Sequence, residues 1–198
     1  MDKIKSAYEM AMERFSQREA VPREEIDRLE YLEAGKMIAA AYLRENGYDL
    51  AAAIKEQPEE RHKYLLEGVR ETLLSNIQLP TDQQYIEQNQ RAMSGLRAVT
   101  ATQEALEAIF EQFKHLFNYY EQSAAQAYGQ LKDMYRAKIM DAANKSGNNQ
   151  LTEQAIEPER YAGFRDEWAK ARLRLNDQYQ NILNEQKGKL REILRATS

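Results

Sequence analysis

The sequence predicts an all-α protein built on a long antiparallel helical hairpin of coiled-coil type, preceded by a bundle of shorter helices. Two observations support this fold class. Helix-breaking residues are rare, with 8 Gly and 4 Pro among 198 residues, while Ala, Leu, Glu, Gln, Lys and Arg, the strongest helix formers, dominate. Apolar residues also recur at helical rather than strand spacing.

The first 79 residues predict a set of short helices. Pro22 and Pro58 stand where helices begin, because proline is tolerated in a first turn. Apolar spacing predicts these helices at 2–19, 23–45, 50–56 and 59–77. We therefore divide the chain into a short-helix bundle at 1–79 and a hairpin at 80–198, which together form one continuous structural unit.

A single long helix is predicted from 82 to 145. Apolar residues occupy most of the a and d positions of six consecutive heptads, beginning with Leu96 and Val99. A break is conceivable near 94–102, which contains Gly95, but the heptad register passes through without a slip. We therefore predict that the helix continues for about 95 Å at 1.5 Å per residue.

The last predicted helix runs from 158 to 196. Several of its apolar residues recur every eleven positions, as Trp168, Tyr179 and Leu190 do. Eleven-residue spacing favours a straight or slightly right-handed path. This helix is therefore expected to pack antiparallel against the long one with little supercoil.

A homodimer is predicted from the unequal lengths of the two long helices. The stretch from Tyr85 to Leu106 extends beyond the shorter partner, so either the N-terminal helices or a second copy must cover it. Asn89 and Gln103 fall at a positions, where polar side chains can fix the register between two helices. A closed two-fold pair is the commonest such assembly.

The stretch 110–135, FEQFKHLFNYYEQSAAQAYGQLKDMY, is rich in aromatic residues. Large rings at helical spacing, followed by the small pair Ala124 and Ala127, fit interdigitating helices better than a cofactor box. We therefore predict a helical seam that is either structural or faces a partner. Its residues are Leu96, Val99, Leu106, Phe110, Phe113, Phe117, Tyr120, Leu131, Met134, Phe164, Trp168 and Leu175.

A metal site is the alternative interpretation of the histidines. Glu59 and His62 form one Glu-x-x-His motif, and Glu111 and His115 share a helix face. Di-iron helical bundles need two such motifs and two further glutamates, and the second motif is missing here. We predict no metal, no cofactor and no catalytic residue, with a ferritin-like metal or cofactor carrier as the runner-up.

Enzymatic chemistry is not expected from this sequence. The chain has no cysteine and two histidines, which leaves few nucleophiles or general bases near neutral pH. Glycine-rich phosphate loops and the common hydrolase and metalloprotease motifs do not occur. The sequence therefore predicts a protein that is not an enzyme.

Charge and hydropathy argue against nucleic acid and membrane-spanning roles. The net charge is −4, and basic residues near the C-terminus alternate with acidic ones instead of forming a one-sided stripe. No apolar run approaches the roughly 20 residues that span a bilayer, and the N-terminus lacks the apolar core of a secretory signal. We expect a cytoplasmic protein, with membrane-surface association as a further alternative.

Three short parts of the chain form distinctive motifs: Lys3 to Ala7 with Glu9 to Arg14, then Glu67 to Leu74, and the Leu79-Pro80 step into a Gln- and Glu-rich helix. These segments resemble an uncharacterised family of bacterial helical proteins. The resemblance implies a cytoplasmic helical domain of unknown function without assigned functional residues. The function expected from the sequence is protein–protein interaction, as an adaptor or self-assembling scaffold with an unknown protein partner.

Overall fold

The computed structural model describes residues 22–101, 103–146, 152 and 155–196. The predicted helix at 2–19 lies outside these residues. The all-α prediction is confirmed, because the described ranges contain helices and turns but no strand. The α-helices are α1 (Arg23–Arg44), α2 (Leu50–Lys55), α3 (His62–Ser75), α4 (Gln83–Ala98), α5 (Gln103–Lys145) and α6 (Phe164–Ala196).

Helices α1 and α3 lie side by side with their N-terminal ends together. The carboxylate of Asp27 pairs with the guanidinium of Arg61 at 2.6 Å, and the Tyr64 hydroxyl donates to Glu24 at 3.1 Å. The pattern Arg-x-x-Tyr-Leu-x-x-Gly occurs in both helices, at 28–35 and at 61–68. Matching positions of the two copies therefore meet at one interface.

The main apolar core draws on both predicted segments of the chain. Its largest fully buried side chains come from α3, from the loop that follows it, from α4 and from the two long helices. They are Leu65, Val69, Leu73, Leu74, Ile77, Leu96, Leu106, Phe110, Phe113, Leu183 and Leu190. Apolar burial is the main driving force for such packing, so the short helices and the hairpin stabilise each other.

The prediction of one unbroken helix over 82–145 is wrong. Helix α4 ends at Ala98 and α5 begins at Gln103. The guanidinium of Arg70 donates two hydrogen bonds to the Val99 carbonyl, at 2.9 and 3.2 Å. These bonds take the place of the helical hydrogen bond that the Val99 carbonyl would otherwise accept. The Gln103 side chain donates to the Thr100 carbonyl at 2.7 Å. The heptad spacing is kept across the break between α4 and α5, because Leu96 and Leu106 face the same core from separate helices.

The stretch that motivated the homodimer prediction is covered within the chain. Ala92, Met93 and Leu96 of α4 are buried against the rest of the core. The Asn89 amide exchanges two hydrogen bonds with the backbone of Gln78, at 2.7 and 2.8 Å. The polar groups expected to set the register between two copies are therefore engaged within one chain, and this argument for a dimer no longer holds.

Helices α5 and α6 contact each other in opposite sequence order. Tyr120 donates to Asn176 at 2.7 Å, while Tyr128 contacts Trp168 and Tyr135 contacts Phe164 through their rings. Helix α6 begins only at Phe164, because Pro158–Arg160 forms a 3₁₀ turn and Gly163 has a positive φ of 86°.

Met134 was predicted to lie on a seam that is structural or faces a partner, and within the described chain it does not pack as a core residue. Its side chain is 41% exposed, while its neighbour Tyr135 is buried. Beyond Tyr120, the contacts with α6 come from Tyr128, Leu131 and Tyr135. A nearly straight helix drifts out of a seven-residue register, which is consistent with Tyr135 instead of Met134 facing α6.

Candidate partner-binding groove

The predicted seam residues fall into three groups by burial. Those that are buried are Leu96, Val99, Leu106, Phe110, Phe113, Tyr120, Leu131 and Phe164. Phe117, Trp168 and Leu175 are half-buried and pack against the clusters. Met134 alone among them is exposed. The aromatic stretch therefore contributes core residues at its start and partly accessible rings further along.

A layer of polar contacts separates the main core from a second, distal cluster. The Ser123 hydroxyl lies 2.8 Å from the Tyr179 hydroxyl, and the Tyr120 hydroxyl donates to Asn176. The rings of Tyr120 and Tyr179 meet edge to face, with centroids 5.5 Å apart. These bonds satisfy tyrosine hydroxyls between the helices, and they mark where the hairpin leaves the main core.

The distal cluster is built from aromatic rings on both long helices. The Tyr128 ring lies 5.0 Å from Trp168 and 5.8 Å from Phe164, and Tyr135 lies 5.2 Å from Phe164. All three pairs are edge to face, which is a favoured arrangement for aromatic pairs. The cluster buries Leu131, Tyr135 and Phe164 but leaves Tyr128 and Trp168 half-buried.

An apolar groove opens beside this cluster. We call it the aromatic groove, and its lining residues are Ala124, Ala125, Tyr128, Glu159, Phe164, Arg165 and Trp168. Its volume is about 540 Å³, which is in the range of sites that hold part of a ligand or partner. Small alanines on α5 and large rings on both helices give it its concave shape.

Glu159 is the acidic residue in the lining of the aromatic groove. Its carboxylate accepts a hydrogen bond from the Tyr128 hydroxyl at 3.0 Å and pairs with Lys132 at 2.7 Å. The bond from Lys132, together with a backbone hydrogen bond and the bond from Tyr128, lowers the pKa of this carboxyl to about 2. Glu159 is thus an ionised, paired group that fixes the Tyr128 ring in the groove wall.

The face of α5 that lines the groove also lines a second cavity nearer the core. Lys114, Phe117 and Glu121 form one side of this cavity, and Pro80 and Ile86, before and within α4, form the other. Ala124, Ala125 and Tyr128 continue the same face, because residues three and four apart are neighbours on a helix. The aromatic groove is therefore the continuation of a face of α5 that lies opposite α4 nearer the core.

The histidines and their acidic neighbours do not form a site. His62 Nε2 lies 2.8 Å from the Gln57 carbonyl oxygen, and Glu111 pairs with Lys114 at 2.6 Å. Across the described parts of the chain, no three His, Asp or Glu side chains lie close enough to hold a metal ion. The side chains considered for the alternative metal site thus have other local partners or lie on the surface.

Sequence reasoning missed both Arg70 and the groove itself. Arg70 stands in an ordinary-looking helix but is buried, and its guanidinium also donates to the Leu194 carbonyl at 3.2 Å. Ala125 was not singled out, although it is exposed beside the half-buried Trp168. The one available signal was Trp168, the only tryptophan in the chain, since tryptophan is enriched at partner-binding surfaces.

The chain matches the model of a family of unknown function, DUF6657, over residues 51–192. The chain belongs to this family. The matched range contains all but the first residue of α2, all of α3 to α5, most of α6 and the entire aromatic groove, while α1 lies before it. The resemblance to an uncharacterised family is thereby confirmed.

DUF6657 carries no assigned activity, and the other comparisons add none. No curated protein and no solved structure gives a significant match to the chain. Among the helices that the structure describes, none combines the length and apolar character needed to cross a membrane. The aromatic groove is therefore the feature of the molecule that bears on its function.

Proposed function

We propose that the protein is a non-enzymatic interaction module, an adaptor or self-assembling scaffold, and that the aromatic groove is its docking surface. One observation supports this most directly. Tyr128 and Trp168 stay half-buried in the folded chain beside the alanines Ala124 and Ala125. Aromatic rings next to small residues can seat an apolar side chain of a partner, and buried anchors of this kind dominate binding energy at interfaces.

An amphipathic helix is the partner element that the groove suits best. The groove is lined by residues of α5 and α6, and nearer the core the same face of α5 lies across a cavity from α4. A helix from a partner can lie along this face of α5, with its apolar side chains between Tyr128 and Trp168. Helix-in-groove recognition of this type uses anchors spaced three or four residues apart.

The ionisable groups of the groove support a binding role over catalysis. The Glu159 carboxylate is held by Lys132 and Tyr128, and its pKa of about 2 is far below the neutral range in which a general base is most effective. Arg165 contributes a permanent positive charge at the rim. We further propose that the protein is cytoplasmic and works as a homodimer that uses the aromatic groove instead of the covered stretch from Tyr85 to Leu106.

Site-specific photo-crosslinking in the native cell tests the docking surface. A photo-reactive amino acid replaces Ala125 in the groove or, as a matched control, Ala137, which is exposed on the same helix but does not line the groove. We expect a covalent adduct of defined mass from position 125 and a much weaker one from 137. Equal yields from both positions, or no adduct from 125, would contradict the proposal.

A further inference from the structure

A second surface of the same chain is suited to the aromatic groove. Helix α1 carries an outward-facing row of apolar side chains, here called the α1 stripe: Ile26, Leu29 and Met37, which are 52%, 57% and 72% exposed. They recur at helical spacing on the side of α1 away from Gly35, where α3 packs. Large apolar side chains that stay this exposed can mark an interaction surface.

An acidic side chain lies beside one surface and basic side chains lie beside the other. Glu30 flanks the α1 stripe on an exposed turn of the helix, whereas the neighbouring Glu33 pairs with Lys36 at 2.7 Å. Arg165 lines the aromatic groove, and Arg172 follows one turn after Trp168 on an exposed part of α6. Within the described residues, Glu30, Arg165 and Arg172 have no salt-bridge partner. Complementary potentials of this kind select and orient partners.

The spacing of the apolar side chains on α1 also fits the spacing of the side chains along α6. Leu29 and Met37 lie two helical turns apart, which is about 12 Å at 1.5 Å per residue. Phe164 and Trp168 are one turn apart on α6, with Arg172 one turn further. An α1 helix lying along the groove can therefore place one apolar side chain at the rings while an acidic residue reaches an arginine.

We propose that the occupant of the aromatic groove is the α1 stripe of a second copy of this chain. The inference depends on the proposed docking function and names its partner. Each chain carries both surfaces, so a two-fold pair in which each α1 enters the other chain's groove satisfies both contacts and closes the assembly. Glu30 of one copy then faces Arg165 of the other.

Charge reversal in the full-length chain tests the pairing. We expect the wild type to have about twice the 23.1 kDa monomer mass at micromolar concentration in light scattering. Arg165→Glu and Glu30→Arg should each weaken dimerisation about tenfold or more, because each change acts on both contacts. The double variant should recover dimerisation to within a few-fold of wild type. Neutral single variants, or a double variant weaker than either single, would overturn the inference.

Trp168 supplies an independent readout. As the only tryptophan, it reports directly on the groove, and its emission should shift to shorter wavelength as concentration rises through the dimerisation range. Met37→Arg should abolish the shift, while Ala137→Arg, on a surface that lines neither site, should not. A shift that persists in Met37→Arg would show that α1 is not the occupant.

The crosslinking experiment separates failure of this inference from failure of the proposed function. An adduct from position 125 that maps to residues 23–44 of a second copy supports both. An adduct with a different protein, combined with a monomeric wild type, overturns the α1 pairing but supports the docking function. The lack of any specific adduct, combined with a monomeric wild type, overturns both.

Discussion

Gly35 of α1 and Gly68 of α3 bring two helix backbones into direct contact. A methyl group on Gly35 would overlap the Leu65 carbonyl, and a methyl group on Gly68 would overlap the Leu32 carbonyl. The two clashes are reciprocal, because each glycine opposes the residue three positions before the other. Side chains cannot move aside to relieve them, since the obstructing atoms belong to the backbone.

Replacing either glycine with alanine should therefore destabilise the protein. Gly35→Ala and Gly68→Ala are each expected to lower the free energy of unfolding by about 3 kcal/mol, at the upper end of overpacking costs. Gly188→Ala is the matched control, because nothing lies within 4 Å of a methyl group there. It should raise stability by about 0.5–1 kcal/mol through helix propensity. Urea unfolding measures all three, and a neutral Gly68→Ala would refute the close approach.

Arg70 is expected to stabilise the junction between α4 and α5. Arg70→Met leaves the carbonyls of Val99 and Leu194 without the donors that now reach them, and the loss should cost about 3 kcal/mol. Arg172→Met, on an exposed part of α6, should change stability by less than about 0.5 kcal/mol. Hydrogen exchange should also quicken at the Val99 amide in Arg70→Met. Equal stabilities of the two variants would rule out this role for Arg70.

Alanine substitutions along the aromatic stretch should differ in how much they lower the free energy of unfolding. Phe113 is fully buried, while Phe117 is only half-buried. Phe113→Ala should therefore cost about 3–5 kcal/mol, and Phe117→Ala clearly less. Gln122→Ala on the exposed side of α5 serves as the baseline, with a change below about 0.5 kcal/mol. A Phe117→Ala cost as large as that of Phe113→Ala would contradict the burial order.

Lys187 should make stability depend on pH in the alkaline range. Burial, with a smaller contribution from Arg191, lowers the pKa of its ammonium from 10.5 to about 8. Between these values the unfolded chain binds a proton that the folded chain does not, so stability contributed by this group rises with pH. Relative to Lys187→Met, the wild type should gain unfolding free energy between about pH 8 and pH 10.5.

Urea unfolding of both chains at about pH 7.5 and about pH 10 measures this difference. Burial raises the pKa values of Tyr128 and Tyr135, but these tyrosines titrate in both chains and cancel in the comparison. Lys187 also donates to the Ser75 carbonyl at 3.2 Å, a bond that the neutral amine can keep. A difference that stays flat or falls with pH would show that Lys187 is not desolvated as described.

Much of the fold could be predicted from local pattern. The capping role of Asp49, whose side chain accepts from the Ala52 amide at 3.0 Å, follows from residue type and position. The eleven-residue spacing of Trp168, Tyr179 and Leu190 correctly marked the packed face of α6. Signals of this kind lie within a few turns of one helix, so they do not depend on distant partners.

The candidate site could be predicted only in part. Phe164 and Trp168 were predicted from their helical spacing. Ala125 and Arg165 become part of the groove only because α5 and α6 lie together. The homodimer argument failed at Asn89, because its amide bonds to Gln78 in the same chain. Periodicity shows which face of a helix is apolar, but it does not show which element covers that face.

The sequence by itself determined that the protein is all-α, because helix-breaking residues are scarce and apolar residues recur at helical spacing. Tertiary structure alone decided where the long helix breaks, because Arg70, distant in sequence, supplies the hydrogen bonds that replace the helical ones at Val99. It also decided which part of the α5 surface stays open. Helical periodicity is a local property of the chain, whereas burial of a charged group and coverage of a surface depend on contacts between segments far apart in sequence.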